Sequence, residues 1–280
     1  MTHTVTPLTT ADGLTLHTAQ YRPSTPPRAV IFLIHGYGEH HGRYRHVIDL
    51  LVGAGYAVCT LDHRGHGLSE GVRVHFESMA QPVQDLRAYV QAMRSQFSAE
   101  KRFVVGHSMG ALISLLYTLE YQHELSGLVL SGIPLAATAA VSPAQLFITR
   151  VLKRIIPTAA LIPSLPGSEL AANPEVAAAF AADELTWKGK MRVSLGLSLT
   201  EGNQESRARL HQLTLPLLIL HGADDKICPP AGSQWVFDQA RSTDKTHHIY
   251  PGMKHEIFNE TARALPLDEM IGWLNERTTA

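Results

Sequence analysis

The chain is expected to fold as an α/β protein built on a mostly parallel sheet. Three observations carry that expectation. Short apolar runs of strand length recur, segments of helical spacing separate them, and glycine-rich loops close several of the runs. Residues 4–21 read as an opening hairpin, TVTPLTT and LTLHTAQY around Ala11-Asp12-Gly13, supplying antiparallel edge strands. Residues 29–34 (AVIFLI) then look like a strand buried on both faces, ending in His35-Gly36. A helix near 43–53 leads to a second such run, 57–61 (AVCTL), which ends in Asp62-His-Arg-Gly-His-Gly67. In residues 79–97, Leu86, Tyr89, Val90 and Met93 form one helical stripe. The third strand, 103–105 (FVV), runs into Gly106-His-Ser-Met-Gly110 and a helix over 111–121, and a fourth follows at 127–131 (GLVLS). Runs at 215–220 (LPLLIL) and 246–250 (THHIY), with an amphipathic helix near 260–275, complete the alternation.

One stretch breaks the rhythm. Between about 134 and 212 no buried strand is evident, and six of the sixteen prolines fall in 134–174. The expected organisation is a core of residues 1–133 and 213–280 with a cap of short helices, residues 134–212, inserted over the C-terminal edge of the sheet. With 280 residues, and about 150 per domain as a guide, one large unit carrying an insertion fits the length.

Composition removes several function classes. The 24 Lys and Arg against 25 Asp and Glu leave a net charge of -1, so the basic excess of a nucleic-acid binder is missing. A 45% hydrophobic content is incompatible with disorder, and the two cysteines, Cys59 and Cys228, cannot form a disulfide framework. The first twelve residues have neither a basic start nor an apolar stretch, so a cytoplasmic protein without a signal peptide is expected, peripheral to membranes at most.

Gly106-His107-Ser108-Met109-Gly110 fits G-x-S-x-G directly after a strand and before a helix, the context that gives the pattern meaning. The turn lifts the Ser108 hydroxyl above the sheet edge and leaves the Met109 N–H at a helix N-terminus. A serine hydroxyl needs a base held by a third group, and in this arrangement the acid and then the histidine follow in the chain. A late strand is followed by His221-Gly-Ala-Asp224-Asp225 and the last one by Pro251-Gly-Met-Lys-His255, giving Ser108, Asp225 or Asp224, and His255. Of the other histidines, His107 is locked beside the nucleophile, His247 and His248 lie on a strand, and His40, His41, His46, His63, His66 and His75 read as loop or solvated positions. No metal site is expected from them, because cysteine and carboxylate partners at ligand spacing are missing. No cofactor is expected either.

These loops resemble those of a known family. His35-Gly-Tyr-Gly-Glu-His-His-Gly-Arg-Tyr44, Asp62-His-Arg-Gly-His-Gly-Leu-Ser69 and Gly106-His-Ser-Met-Gly110 are similar to the signature loops of the monoacylglycerol lipase and lysophospholipase (serine aminopeptidase S33-like) branch of the α/β-hydrolase fold. The resemblance favours Asp225 as the acid and implies the Tyr37 and Met109 backbone N–H groups as oxyanion donors. It implies Glu39 and Arg43 near the polar end of the substrate and Cys228 near the acyl-glycerol pocket; the alternative for Glu39 and Arg43 is that they pair with each other or brace the loop. Asp62 and Arg64 are expected to brace their loop by a buried ion pair. Residues 173–183 resemble a lid segment in which Phe180 stands for a tyrosine and Asp183-Glu184 for Asp-Pro, while Phe258 replaces a histidine of the mammalian enzymes. Losing those two polar side chains argues against strict monoglyceride specificity.

The expected activity is therefore hydrolysis of single-chain lipid esters through an acyl-enzyme, with monoacylglycerol, lysophospholipid and simple esters as the candidate substrates. A peptidase of the same fold and a non-catalytic binding protein are the rival readings. Arg150, Lys153 and Arg154, beside Leu146, Phe147, Val151, Leu152 and Ile155, are expected to touch a membrane surface transiently or to form a solvated helix face.

Overall fold

The apolar runs become the middle of one eight-stranded sheet. A computed structural model describes residues 1–97, 101–135, 142–163 and 166–278. In chain order these form β1 (Thr2–Thr9), β2 (Thr15–Arg22), β3 (Val30–Ile34), α1 (Arg45–Gly53), β4 (Ala57–Leu61), α2 (Ala80–Arg94), β5 (Arg102–His107), α3 (Met109–Tyr121) and β6 (Gly127–Ser131). Then come α4 (Pro143–Ile155), β7 (Ala160–Ile162), α5 (Pro174–Ala182), β8 (Met191–Arg192) and α6 (Val193–Arg209), followed by β9 (Leu217–Gly222), α7 (Ala231–Gln239), β10 (Lys245–Tyr250) and α8 (Ala264–Thr278). The sheet order is β1-β2-β4-β3-β5-β6-β9-β10. The β1–β2 and β2–β4 pairs are antiparallel and every other pair in the sheet is parallel.

Successive strand residues serve opposite faces, which is why the central runs are apolar throughout. Phe32, Ile34, Val104, Leu130 and Ile219 pack with α2, α3 and α6 on one side. Ile31, Leu33, Val105, Val129 and Leu218 pack with α1 and α8 on the other. Because β4 and β5 flank β3 on opposite sides, the chain leaves β3 and β5 in diverging directions and opens a crevice at their C-terminal ends.

Between β6 and β9 the expectation of helices alone is incomplete. β7 and β8 form a small antiparallel ladder there, too short and too exposed to read as a buried run. Helix α4 starts at a capping box, with the Ser142 hydroxyl on the Gln145 amide and the Gln145 side chain returning to Ser142; α5 starts at Asn173 with Pro174 in its first turn. Residues 136–141 of the expected cap, and 164–165, lie outside the described residues.

Candidate active site

Ser108 sits at the β5–α3 turn with φ 53° and ψ −121°, a conformation that costs a non-glycine residue about 1–3 kcal/mol. The positions two residues to either side must be glycine. A Cβ at Gly106 would come within 2.5 Å of the Gly110 carbonyl, and one at Gly110 within 2.4 Å of the His35 carbonyl. The Ser108 amide is tied to the Ser131 carbonyl at 2.9 Å, fixing the turn against β6.

His255 and Asp225 arrive from the loops after β10 and β9. His255 Nδ1 donates to Asp225 Oδ2 at 2.7 Å, which leaves Nε2 as the ring's free base. Asp225 Oδ1 accepts from the Ile227 and Cys228 amides at 2.9 and 2.8 Å. Burial works against its charge, but the donors of His221 and His255 outweigh that and hold the carboxyl well below its usual range. Asp224 is exposed, so the structure joins Asp225 and not Asp224 to the histidine. Gly132, at φ 57°, gives the His255 ring its space, because a Cβ there would stand 3.1 Å from His255 Cε1.

The loop after β3 approaches the serine just as closely. A Cβ at Gly36 would lie 3.2 Å from Ser108 Cβ and 2.8 Å from Glu39 Oε1. Neither the Tyr37 nor the Met109 amide takes part in a hydrogen bond among the described residues. Glu39 holds this loop by accepting from the Gly36 amide at 2.6 Å and the Tyr44 hydroxyl at 2.7 Å. Arg43 pairs with Glu39 and also with Glu256, the residue after His255, so the pairing alternative for Glu39 and Arg43 is realised while Glu39 also faces the pocket.

Ser108 and His255 line a cavity of about 220 Å³ whose apolar wall is made by Leu170, Ala177, Phe180, Ala181 and Trp187. All five come from the segment between β6 and β9. That segment is pinned to the loops below it by the Trp187 amide on the Gly38 carbonyl, the Glu256 amide on the Leu170 carbonyl, and His40 Nε2 with Asp183 at 2.7 Å. Arg43 lies 5.0 Å from the Phe180 ring centre. Cys228 is buried beside the Ser108 side chain and does not line the cavity. Phe258 packs in the core on the α1 and α8 side and does not line the cavity. Leu170, Trp187 and Glu256 escaped the sequence reading. Of these only Glu256 carried a signal, its adjacency to His255.

Several histidine expectations need correction. His40, His41, His63 and His66 are buried, not solvated, because each ring finds an internal partner: Asp183, Asp62, the His35 carbonyl and the Arg64 carbonyl, respectively. Burial and the neighbouring His66 push His63 down to about 3, and burial lowers His66 to about 4. His107 packs on His255 with ring centres 4.7 Å apart, and burial with that neighbour pushes it down to about 3, so it stays neutral. Asp62 and Arg64 do not pair. Asp62 accepts from His41 and the Leu68 amide, and Arg64 reaches Asp12 and Asp85. Among the described residues His17, His41 and Asp62 bring ligand atoms within 4.8 Å, so a carboxylate partner absent from the local sequence is present in space. Both its oxygens already accept hydrogen bonds.

Comparison with known proteins places the chain in a family. The model of the family described as serine aminopeptidase, S33, matches residues 25–262. A monoacylglycerol lipase of Mycolicibacterium smegmatis is 39% identical over 91% of this chain and 90% of its own length. The human monoglyceride lipase is 31% identical over 97% of this chain and 90% of its own. The crystal structure of Paleococcus ferrophilus monoacylglycerol lipase superposes with a TM-score of 0.83 at 30% identity, over 92% of this chain and 98% of that one. A family match across most of the sequence, with relatives this similar along nearly its full length, means that the chain belongs to the serine aminopeptidase S33 family of α/β hydrolases.

Proposed function

We propose that this protein is a serine carboxylester hydrolase of single-acyl-chain lipid esters, with monoacylglycerols as the preferred class. The observation that carries the reading is one apolar cavity reached by a serine on a strained turn and by an aspartate-bound histidine. The names of its relatives point the same way. In this mechanism His255 Nε2 takes the Ser108 proton as the oxygen attacks the acyl carbonyl. The Tyr37 and Met109 amides receive the oxyanion, each such donor being worth about 10²–10³ in rate. Asp225 fixes the imidazole tautomer and stabilises its charged form. His255 then protonates the leaving alcohol, and water cleaves the acyl-enzyme by the same route.

In this reading residues 134–212 act as a cap over the site. Its wall from Leu170 to Trp187 receives the acyl chain, each buried CH₂ contributing about 0.8 kcal/mol. Glu39 and Phe180 border the alcohol, whose hydroxyls meet the Glu39 and Glu256 carboxylates there, while Arg43 does not line the cavity and lies against the Phe180 ring. Helix α4 rests on a lipid surface: Phe147, Ile148, Val151 and Ile155 are exposed along it. Arg150 is engaged by Glu201 and Lys153 by the Glu77 carbonyl, while Arg154 is exposed at the helix end. Among the described residues no helix is long and apolar enough to cross a membrane.

Comparing kcat/KM for monoacylglycerols, lysophosphatidylcholine, p-nitrophenyl esters and an alanyl arylamide tests the proposal. Monoacylglycerols should lead the panel. A leading lysophospholipid or arylamide would replace the substrate class while keeping the chemistry.

A further inference from the structure

Asp225 is held by two histidines. Its Oδ2 meets His255 Nδ1 at 2.7 Å and His221 Nε2 at 3.1 Å. His221, near the end of β9, is wholly buried and has no part in the mechanism above. Both partners of its Nε2, Asp225 Oδ2 and the Cys228 carbonyl at 2.7 Å, are acceptors, so Nε2 carries the hydrogen and forks it between them. Its Nδ1 is buried without a partner, which fits a neutral ring, since a proton there would be an unpaired buried donor.

The surroundings isolate this pair of contacts. On the β10 side His247 bonds the Ser233 hydroxyl of α7, and burial keeps its pKa lowered. In the 225–228 turn the Cys228 thiol is raised by burial and by the Asp225 charge, so it remains a thiol. Against His255 stand neutral His107 and, one residue on, Glu256, whose carboxylate is forked by Arg43. Asp225 is therefore the carboxylate bonded to the His255 ring, and His221 is the side chain that competes for it.

We propose that His221 is a positioning residue for the catalytic acid: by sharing Asp225 Oδ2 with His255, it aims that oxygen and draws off part of its hydrogen-bonding capacity. A carboxylate whose lone pairs are shared stabilises the imidazolium less, so His255 is freed to act as a base at lower pH. The same fork ties Asp225 to the turn that sets Cys228 against Ser108. This inference rests on the reading of Ser108, His255 and Asp225 as the catalytic set.

The test is the pH profile of kcat/KM on p-nitrophenyl butyrate for wild type, His221→Leu, His221→Asn and His221→Gln. Rates are normalised to sites titrated by a fluorophosphonate. His221→Leu and His221→Asn should move the acid limb to higher pH by roughly half a unit and lower the plateau about tenfold, the scale of one charge-assisted hydrogen bond. His221→Gln, whose amide reaches the same oxygen, should restore both. If His221→Leu does not fold, His221→Asn carries the test, being polar but too short to reach. An unmoved acid limb in a variant with titratable sites would overturn the proposal and leave His221 a packing residue. Fluorophosphonate mapping on wild type separates the two failures, because a label absent from Ser108 would reject the catalytic set itself.

Discussion

Arg43 forks onto Glu256, with Nη1 on Oε1 and Nη2 on Oε2, both at 2.8 Å. Nη1 also meets Glu39, which holds the Gly36 amide. One guanidinium thus joins the loop carrying Tyr37 to the loop carrying His255. Burial disfavours its charge, but Glu39 and Glu256 more than compensate. Removing it strands two buried carboxylates. Arg43→Ala should cost about 3–5 kcal/mol by denaturant unfolding, and Arg43→Lys should recover only part of this, since lysine cannot make the fork. A loss under about 1 kcal/mol would show the network to be incidental.

Ser108 separates stability from activity. Glycine adopts its backbone angles without strain and alanine does not, so Ser108→Gly should exceed Ser108→Ala in stability by about 1 kcal/mol. Neither should hydrolyse esters, a loss on the order of 10⁶ in kcat. Equal melting temperatures would remove the strain argument.

Asp225→Asn should lower kcat by about 10⁴ with the fold intact, because the amide favours the wrong His255 tautomer. The carboxyl is depressed in the folded state, so its contribution to stability is complete above the ordinary carboxylate range, about pH 4, and is lost below it as Asp225 takes up a proton. Acid unfolding of Asp225→Asn should therefore be less steep than that of wild type. Parallel curves would contradict the charged, doubly bonded carboxylate.

Helix α4 supplies the membrane prediction. Phe147→Ser and Ile155→Ser should each reduce flotation with anionic liposomes by about tenfold while leaving p-nitrophenyl ester hydrolysis unchanged, since burying such a side chain contributes about 1.5–3 kcal/mol. Unchanged flotation would return α4 to a solvated cap helix.

How much of this was legible in the sequence follows from how local each signal is. The nucleophile turn, the apolar strands and the His255 loop are written in consecutive residues, and Gly106 is constrained by atoms a few positions away, whereas Gly110 is constrained by the carbonyls of Ile34 and His35 at the end of the neighbouring strand. The partners of Arg64, Asp12 and Asp85, and of His40, Asp183, lie far along the chain and leave no periodicity to read. The buried histidines looked solvated because a polar residue in a loop is classified by its type, whereas its burial depends on a distant acceptor. The β7–β8 ladder was invisible because strands of two and three residues carry no alternation.

The central claim is that Ser108 carries the acyl group, and the rapid-quench mass of the enzyme during monoacylglycerol turnover tests it most directly. An acyl mass mapped to the peptide containing Ser108, absent in Ser108→Ala and short-lived in wild type, is the predicted result. An acyl group on Cys228, which lies against Ser108, or turnover within about tenfold of wild type in Ser108→Ala, would contradict it.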